Sequence, residues 1–231
     1  MGFYRGANIV TNGLVLALDA ANTKSYPGSG TTWSDLSGNG YNGTLTNGPS
    51  FSSDNGGSIV FDGVDDYSTS STNITPATGD FTIAFTYKLT GPNGRGGLFE
   101  RKPSSPYNGF SLGQGGALNW AFSVSGTSDF NNLLTVNFSY GSLNTWYIDV
   151  GVYQNNNTVI GYRNGNLVGT TTGVNQGNLS TQGSRTNFLI ANRDLGSSLP
   201  CIVGNVLVYN RALSAAEVEQ NYNAYKSRFN L

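Results

Sequence analysis

A chain of 231 residues with a formal net charge of −1 and 11% charged side chains has no basic run or stripe to neutralise phosphates, so nucleic acid is excluded as a partner. It contains no histidine, which excludes Ser-His-Asp and Cys-His catalysis and histidine-ligated zinc, and its single cysteine, Cys201, excludes an internal disulfide framework. Aromatic and branched apolar residues recur along the whole length, 32 glycines mark frequent turns, and Asn, Ser and Thr stand where charges usually would, so the chain folds and keeps a neutral polar surface.

Met1-Gly2-Phe3-Tyr4-Arg5-Gly6 carries no apolar stretch that could serve as a secretion signal, and no segment is apolar for long enough to span a membrane. The expectation is folding in a cytosol without membrane insertion. Residues 1–12, with Phe3, Tyr4, Ile9 and Val10, are expected to form an arm that pairs as an edge strand or docks on a neighbouring subunit. Residues 13–231 are expected to form one domain, since no composition shift divides them.

Gly13 to Asp19 reads as a first strand. Residues 22–56 read as long ordered loops with brief strands at Thr32-Trp33 and Thr44-Leu45, followed by a clear strand at Ser58 to Asp62. Alternation then dominates. Phe81, Ile83, Phe85, Tyr87 and Leu89 share one strand face, as do Leu118, Trp120, Phe122 and Val124 in the next apolar run. Leu134, Val136 and Phe138 repeat the pattern. Between Trp146 and Tyr153, Trp146, Ile148, Val150 and Val152 form the apolar face, with Tyr147, Asp149 and Tyr153 opposite. Asn164-Gly165 between two strand-like runs predicts a type I′ hairpin, because both residues tolerate positive φ. Phe188 to Ala191 and Ile202 to Tyr209 supply further strands, and Cys201 at the start of the latter reads as a buried, inert thiol. Ser214-Ala215-Ala216-Glu217 is a capping box, and Val218, Tyr222, Tyr225 and Phe229 form one helical stripe, so a helix is predicted over about 214–228. Many short strands and one late helix predict an all-β, two-sheet antiparallel sandwich.

Four stretches in this order resemble the laminin G-like branch of the concanavalin A-like lectin/glucanase jelly rolls. They are Asp35-Leu36-Ser37-Gly38-Asn39-Gly40-Tyr41-Asn42-Gly43, Phe61-Asp62-Gly63-Val64-Asp65-Asp66-Tyr67, Asn144-Thr145-Trp146-Tyr147 with the Tyr162 to Gly165 hairpin, and Val208 to Ser214 leading into Glu217. The resemblance implies a jelly roll. The runs Asn8 to Leu16 and Tyr26 to Trp33, with the Asn210-Arg211-Ala212-Leu213-Ser214 ending, further resemble stand-alone structural proteins of tailed bacteriophages, notably those of marine hosts. That implies a virion structural or decoration protein, assembled in the host cytoplasm with other virion proteins or copies of itself and touching cell-surface glycans. A lectin or adhesin module of a bacterial surface system is the alternative, and a glycan hydrolase or lyase the third reading.

Hydrolysis in this superfamily uses Glu-x-Asp-x-x-Glu on one strand, which is absent; the glutamates are Glu100, Glu217 and Glu219, two of them in the predicted helix. The expectation is therefore a non-enzyme. The resemblance also implies a structural calcium ion on loops of this kind, held by Asp35, Asn39, Asp65 or Asp66; the competing reading is local turn hydrogen bonding by these side chains. Asp62 belongs to the same acidic run. For a glycan, the candidate platforms and readers are Trp33 and Tyr107 in loop-like segments, with Tyr147, Asp149 and Tyr153 on the face opposite the apolar one and Arg163 on the following strand; core packing of the tyrosines competes with this reading.

Overall fold

The structure is a computed structural model that describes residues 8–70, 74, 79–92, 96–101, 109–116, 119–125, 133–154, 157–173, 188–192 and 198–231. In chain order the strands are β1 (Leu14–Asp19), β2 (Thr32–Trp33), β3 (Gly43–Thr46), β4 (Ser50–Ser52), β5 (Ser58–Phe61), β6 (Tyr67–Ser70), β7 (Phe81–Leu89), β8 (Gly96–Arg101), β9 (Gly109–Gly116), β10 (Asn119–Ser125), β11 (Leu134–Phe138), β12 (Trp146–Gln154), β13 (Thr158–Arg163), β14 (Asn166–Thr172), β15 (Phe188–Ile190) and β16 (Cys201–Tyr209). Helix α1 (Ala215–Phe229) follows.

The strands make two antiparallel sheets. One, on the helix side, runs β14-β13-β12-β7-β16-β5-β4, with β1 also paired to β16; the far sheet runs β11-β10-β9-β8-β15-β6-β3-β2. This is the predicted sandwich. Phe81, Ile83, Phe85 and Tyr87 of β7 meet Trp120, Phe122 and Val124 of β10 between the sheets, and the alternation read from the sequence places each of them correctly. Burying such side chains at roughly 25 cal/mol per Å² of apolar surface is the main favourable term in the fold. The Asn164-Gly165 turn has φ of 51° and 78°, as a type I′ hairpin requires. Its Asn164 amide donates to the Ile148 carbonyl and its side chain accepts from the Ile148 amide, which prolongs the pairing toward β12.

The outer face of the helix-side sheet is also apolar. Ile148, Val150, Val152, Ala84, Leu207 and Tyr209 form a second core with Val218, and Tyr222 and Tyr225 pack against it. Phe229 closes the far end of the helix against the Trp146 ring, with centroids 4.5 Å apart. Residues 8–12 lie against this layer without strand pairing. Val10 is clamped there: its amide donates to the Asn221 side chain at 2.8 Å and its carbonyl accepts from the Tyr209 hydroxyl at 3.0 Å. Over residues 8–12 the arm is thus a strap rather than a paired strand, its polar partners supplied by β16 and the helix; Phe3 and Tyr4 lie outside the described residues.

The capping box forms as read: Ser214 caps the Glu217 amide and the Glu217 carboxylate takes the Ser214 amide. Arg211 adds a two-pronged ion pair to Glu217, at 2.5 and 3.0 Å. These contacts, the Arg211 bonds foremost and the Ser214 amide next, hold the Glu217 carboxyl down from 4.5 to about 2. A depressed carboxylate stabilises the fold above its ordinary range and loses that contribution as pH falls through the folded value. Acid titration of the melting temperature should therefore decline between about pH 4.5 and 2, and Glu217→Gln should flatten that limb while lowering stability at neutral pH.

Candidate functional site

The most concentrated polar chemistry lies inside the sandwich. Asp149 sits mid-strand in β12, fully buried. Its Oδ2 accepts from the Tyr87 hydroxyl and the Trp120 indole N–H, both at 2.8 Å, and from Arg163 Nη2 at 2.7 Å; its Oδ1 accepts from Arg163 Nε at 2.8 Å. Strand register makes this meeting inevitable, since Asp149 is cross-strand from Arg163 on β13. The guanidinium lies 4.5 Å over the Tyr147 ring and 5.2 Å from that of Phe138, and also donates to the Ser139 carbonyl. Burial alone would pull the Arg163 guanidinium down, but the Asp149 hydrogen bonds and charge outweigh it and push it up. Burial, with the Asp149 charge second, pushes the Tyr87 phenol well up, so it remains a donor. The carboxylate accepts four hydrogen bonds, three on Oδ2 and one on Oδ1, and the cluster is a brace between the sheets.

This reverses one sequence expectation. The face carrying Tyr147, Asp149 and Tyr153 points into the sandwich, and the Ile148/Val150/Val152 face points outward beneath the helix. Both faces of β12 are covered, so apolar alternation alone could not say which is outside. Tyr153 is 1% exposed, packs tilted at 5.2 Å against Phe81, and its hydroxyl has no partner among the described residues. Trp33 is likewise no platform. It lies on β2 with no exposure, in the core with Leu18 and Leu45, because β2 tucks the ring beneath the sheet edge where Gly43 adds no side chain. Tyr147 is half-buried, with its hydroxyl accepting from the Ser142 amide at 3.0 Å. Tyr107 lies outside the described residues. Cys201 is fully buried, and burial pushes its thiol well up, so it is inert.

The proposed metal ligands also separate. The Asp35 carboxylate is consumed by the Ala17, Ser37 and Tyr41 amides and the Ser37 hydroxyl. With the Leu36 amide donating to Ala17, and Ser37 and Asn39 donating to Val15, this loop pairs the otherwise bare edge of β1. A side chain thus stands in for a neighbouring strand. Asp35 and Asn39 make local turn hydrogen bonds of the kind the competing reading describes. Asp65 and Asp66 instead gather with Asp62, carboxylate oxygens of all three within 4.8 Å of one another. Asp66 is buried and accepts from the Asp62 amide at 3.1 Å; Asn47 donates to the Asp65 carbonyl at 3.0 Å. Desolvation first, and then the charges of Asp62 and Asp65, push the Asp66 carboxyl up against the opposing Asp62 amide bond. Asp62 was legible as part of the acidic run.

A half-open cleft of about 380 Å³ opens on the helix side, between β1, the strap, the Leu36 loop and the C-terminal half of α1. No sequence motif marks it, because its walls come from four distant segments.

A family model described as the concanavalin A-like lectin/glucanases superfamily matches residues 61–219, well over half the chain. The chain belongs to that superfamily. The match starts at the last residue of β5 and ends inside α1, so the superfamily pattern covers both the interior brace and the capping box. No curated protein matches the sequence. Among solved structures, the binding domain of Paraclostridial Mosquitocidal Protein 1 is similar at 16% identity and a TM-score of 0.67, covering 93% of this chain and 53% of its own. The binding domain of botulinum neurotoxin DC, solved with rat synaptotagmin II, gives 14% identity and 0.68, covering 94% and 52%. The botulinum neurotoxin serotype D ligand-binding domain, solved with N-acetylneuraminic acid, gives 13% and 0.67, covering 92% and 51%. The chain spans about half the length of these domains, and at such identities the likeness is one of fold. These three are toxin domains and lend the bacteriophage resemblance no support.

Proposed function

We propose that this chain is a non-catalytic module that binds a cell-surface glycan. The observation that carries the reading is how its charged groups are used: among the described residues Asp149 takes four hydrogen bonds from Arg163, Tyr87 and Trp120, and Asp35 takes three backbone amides and the Ser37 hydroxyl, so both acids are committed to the fold. Glycosidases need one carboxyl able to give a proton and a second facing the same bond. The superfamily fold, and its use in binding domains solved with a sialic acid and with a protein receptor, support recognition as the role. Presentation on a bacteriophage particle, with other virion proteins or further copies as structural partners, is the setting that the sequence resemblance favours over a bacterial cell surface. A glycan array probed with the labelled chain tests the reading. Saturable binding to a defined set of glycans supports it; a blank array at high micromolar protein contradicts it.

A calcium ion fits the acidic turn as a stabiliser. Three carboxylates within 4.8 Å supply oxygens of the type calcium takes, and the buried, raised Asp66 is a charge that a divalent cation would compensate. Asp62, Asp65 and Asp66 would hold it, in place of the set with Asp35 and Asn39. A carboxyl raised in the fold destabilises as pH rises past it, so without cation Asp66→Asn should melt at or above the wild-type temperature at neutral pH. Millimolar calcium should raise the wild-type melting temperature by several degrees over chelator, and leave Asp66→Asn unmoved. Identical wild-type melts in calcium and chelator would remove the ion.

A further inference from the structure

The cleft beside α1 carries groups that the fold does not use. Its floor is Ala17 and Leu207 on the outer face of the sheet, and Ile9 and Leu36 wall it. At its rim are Asp19, Asn22 and Tyr225. Asp19 Oδ1 accepts from the Ala21 amide at 3.0 Å and from Arg228 Nη1 at 2.6 Å, whereas its Oδ2 has no hydrogen-bond partner among the described residues. Asn22 Oδ1 is taken by the Lys24 amide, and its side-chain NH₂ is uncommitted. The Tyr225 hydroxyl bonds to no described residue, and burial, with the nearby Asp19 charge second, pushes the phenol up so that it stays a donor. One acceptor, one amide donor and one hydroxyl thus face an apolar floor in a volume within the roughly 300–1,000 Å³ of small-ligand sites. Half-buried polar groups left unpaired in the free protein, here those of Asp19 and Tyr225, are stabilised when a ligand pairs them, and Asn22 adds an exposed donor at the rim.

We infer that this cleft takes a single neutral sugar residue, an assignment that rests on the glycan-binding reading above. A pyranose offers an apolar face for Leu36 and the Tyr225 ring and a hydroxyl edge for Asp19, Asn22 and the phenol. Neutrality follows from the charges. Among the described residues no cation lines the cleft, and Arg228, which meets Asp19 at the rim, has its Nε, Nη1 and Nη2 spent on Asn55, Asp19 and Gly57. An acidic sugar would bring its carboxylate against the Asp19 carboxylate, whose partner Arg228 is already committed, with no unspent cation in the described lining to receive it. The cleft therefore discriminates against the sialic acid seen with the serotype D toxin domain.

The test is amide NMR of the isotopically labelled chain titrated with methyl glycosides of neutral hexoses and N-acetylhexosamines, and with N-acetylneuraminic acid. Shifts confined to residues 14–22, Leu36 and the second half of α1 are expected with at least one neutral sugar and not with the acid. Tyr225→Phe removes only the partnerless hydroxyl, so it should fold normally and weaken that sugar about five- to tenfold. Ala224→Gln, which fills the cleft from the helix, should abolish the shifts. If the array is positive while both variants bind as wild type, or the shifts fall elsewhere, the cleft assignment is overturned and the glycan reading stands. Equal binding of N-acetylneuraminic acid at the cleft overturns the neutral specificity. A blank array together with no shift from any sugar overturns both.

Discussion

Asp149→Ala should lower stability by about 3–5 kcal/mol, the cost of leaving a buried partner charge uncompensated. In a chain of this size that is a fall in melting temperature of about 10 °C. The reason lies in what remains. Arg163 would keep its charge with 15% of its side chain exposed, held between the Tyr147 and Phe138 rings, while the Tyr87 hydroxyl and the Trp120 N–H would lose their acceptor inside the sandwich. Removing both charges is a different case: Asp149→Leu with Arg163→Met should recover much of the loss, because an apolar pair of similar volume needs no compensation. Urea denaturation of the single and double variants measures this directly. A single variant as stable as wild type would mean that the ion pair is not the brace described.

Phe229→Ala should cost about 3 kcal/mol or more, the range for deleting a buried ring. Phe229 is 2% exposed and is the last apolar residue of the helical stripe. It packs on Trp146, and Gly204 leaves the space its ring occupies at the bulge of β16. Trp146 in turn donates its indole N–H to Asn55 at 3.1 Å. The variant should unpin the end of α1, expose Trp146 and lower its near-ultraviolet dichroism, with the strand signal kept. Unchanged Trp146 dichroism and melting would show that the helix does not depend on this contact.

Local signals carried much of the fold. Asn164-Gly165 dictated its turn, Ser214 and Glu217 their cap, and the inward face of β7 was set by five alternating apolar residues. Where an element has two buried faces the same logic fails. In β12 the polar-looking face holds the interior brace, since Asp149 becomes tolerable only when β7, β10 and β13 bring Tyr87, Trp120 and Arg163 to it. Trp33 misleads for a related reason: two residues of strand are too short to show alternation, so a core ring looks like a loop residue. Asp35 and Asp65 share residue type and loop context, yet one is taken up by amides, including that of Ala17 from the neighbouring strand, and the other lies among carboxylates in its own turn, a distinction that residue type alone does not carry. The cleft is invisible in the sequence for the same reason, because Ile9, Ala17, Leu36 and Tyr225 converge only after β1, the strap and the helix are in place.

Binding without turnover is the central claim. Its most direct measurement is to incubate the chain to equilibrium with an array-positive oligosaccharide and weigh the recovered sugar by mass spectrometry. The account predicts quantitative recovery of the intact oligosaccharide after saturable, reversible binding. Shortened or unsaturated products that accumulate with protein concentration would contradict it.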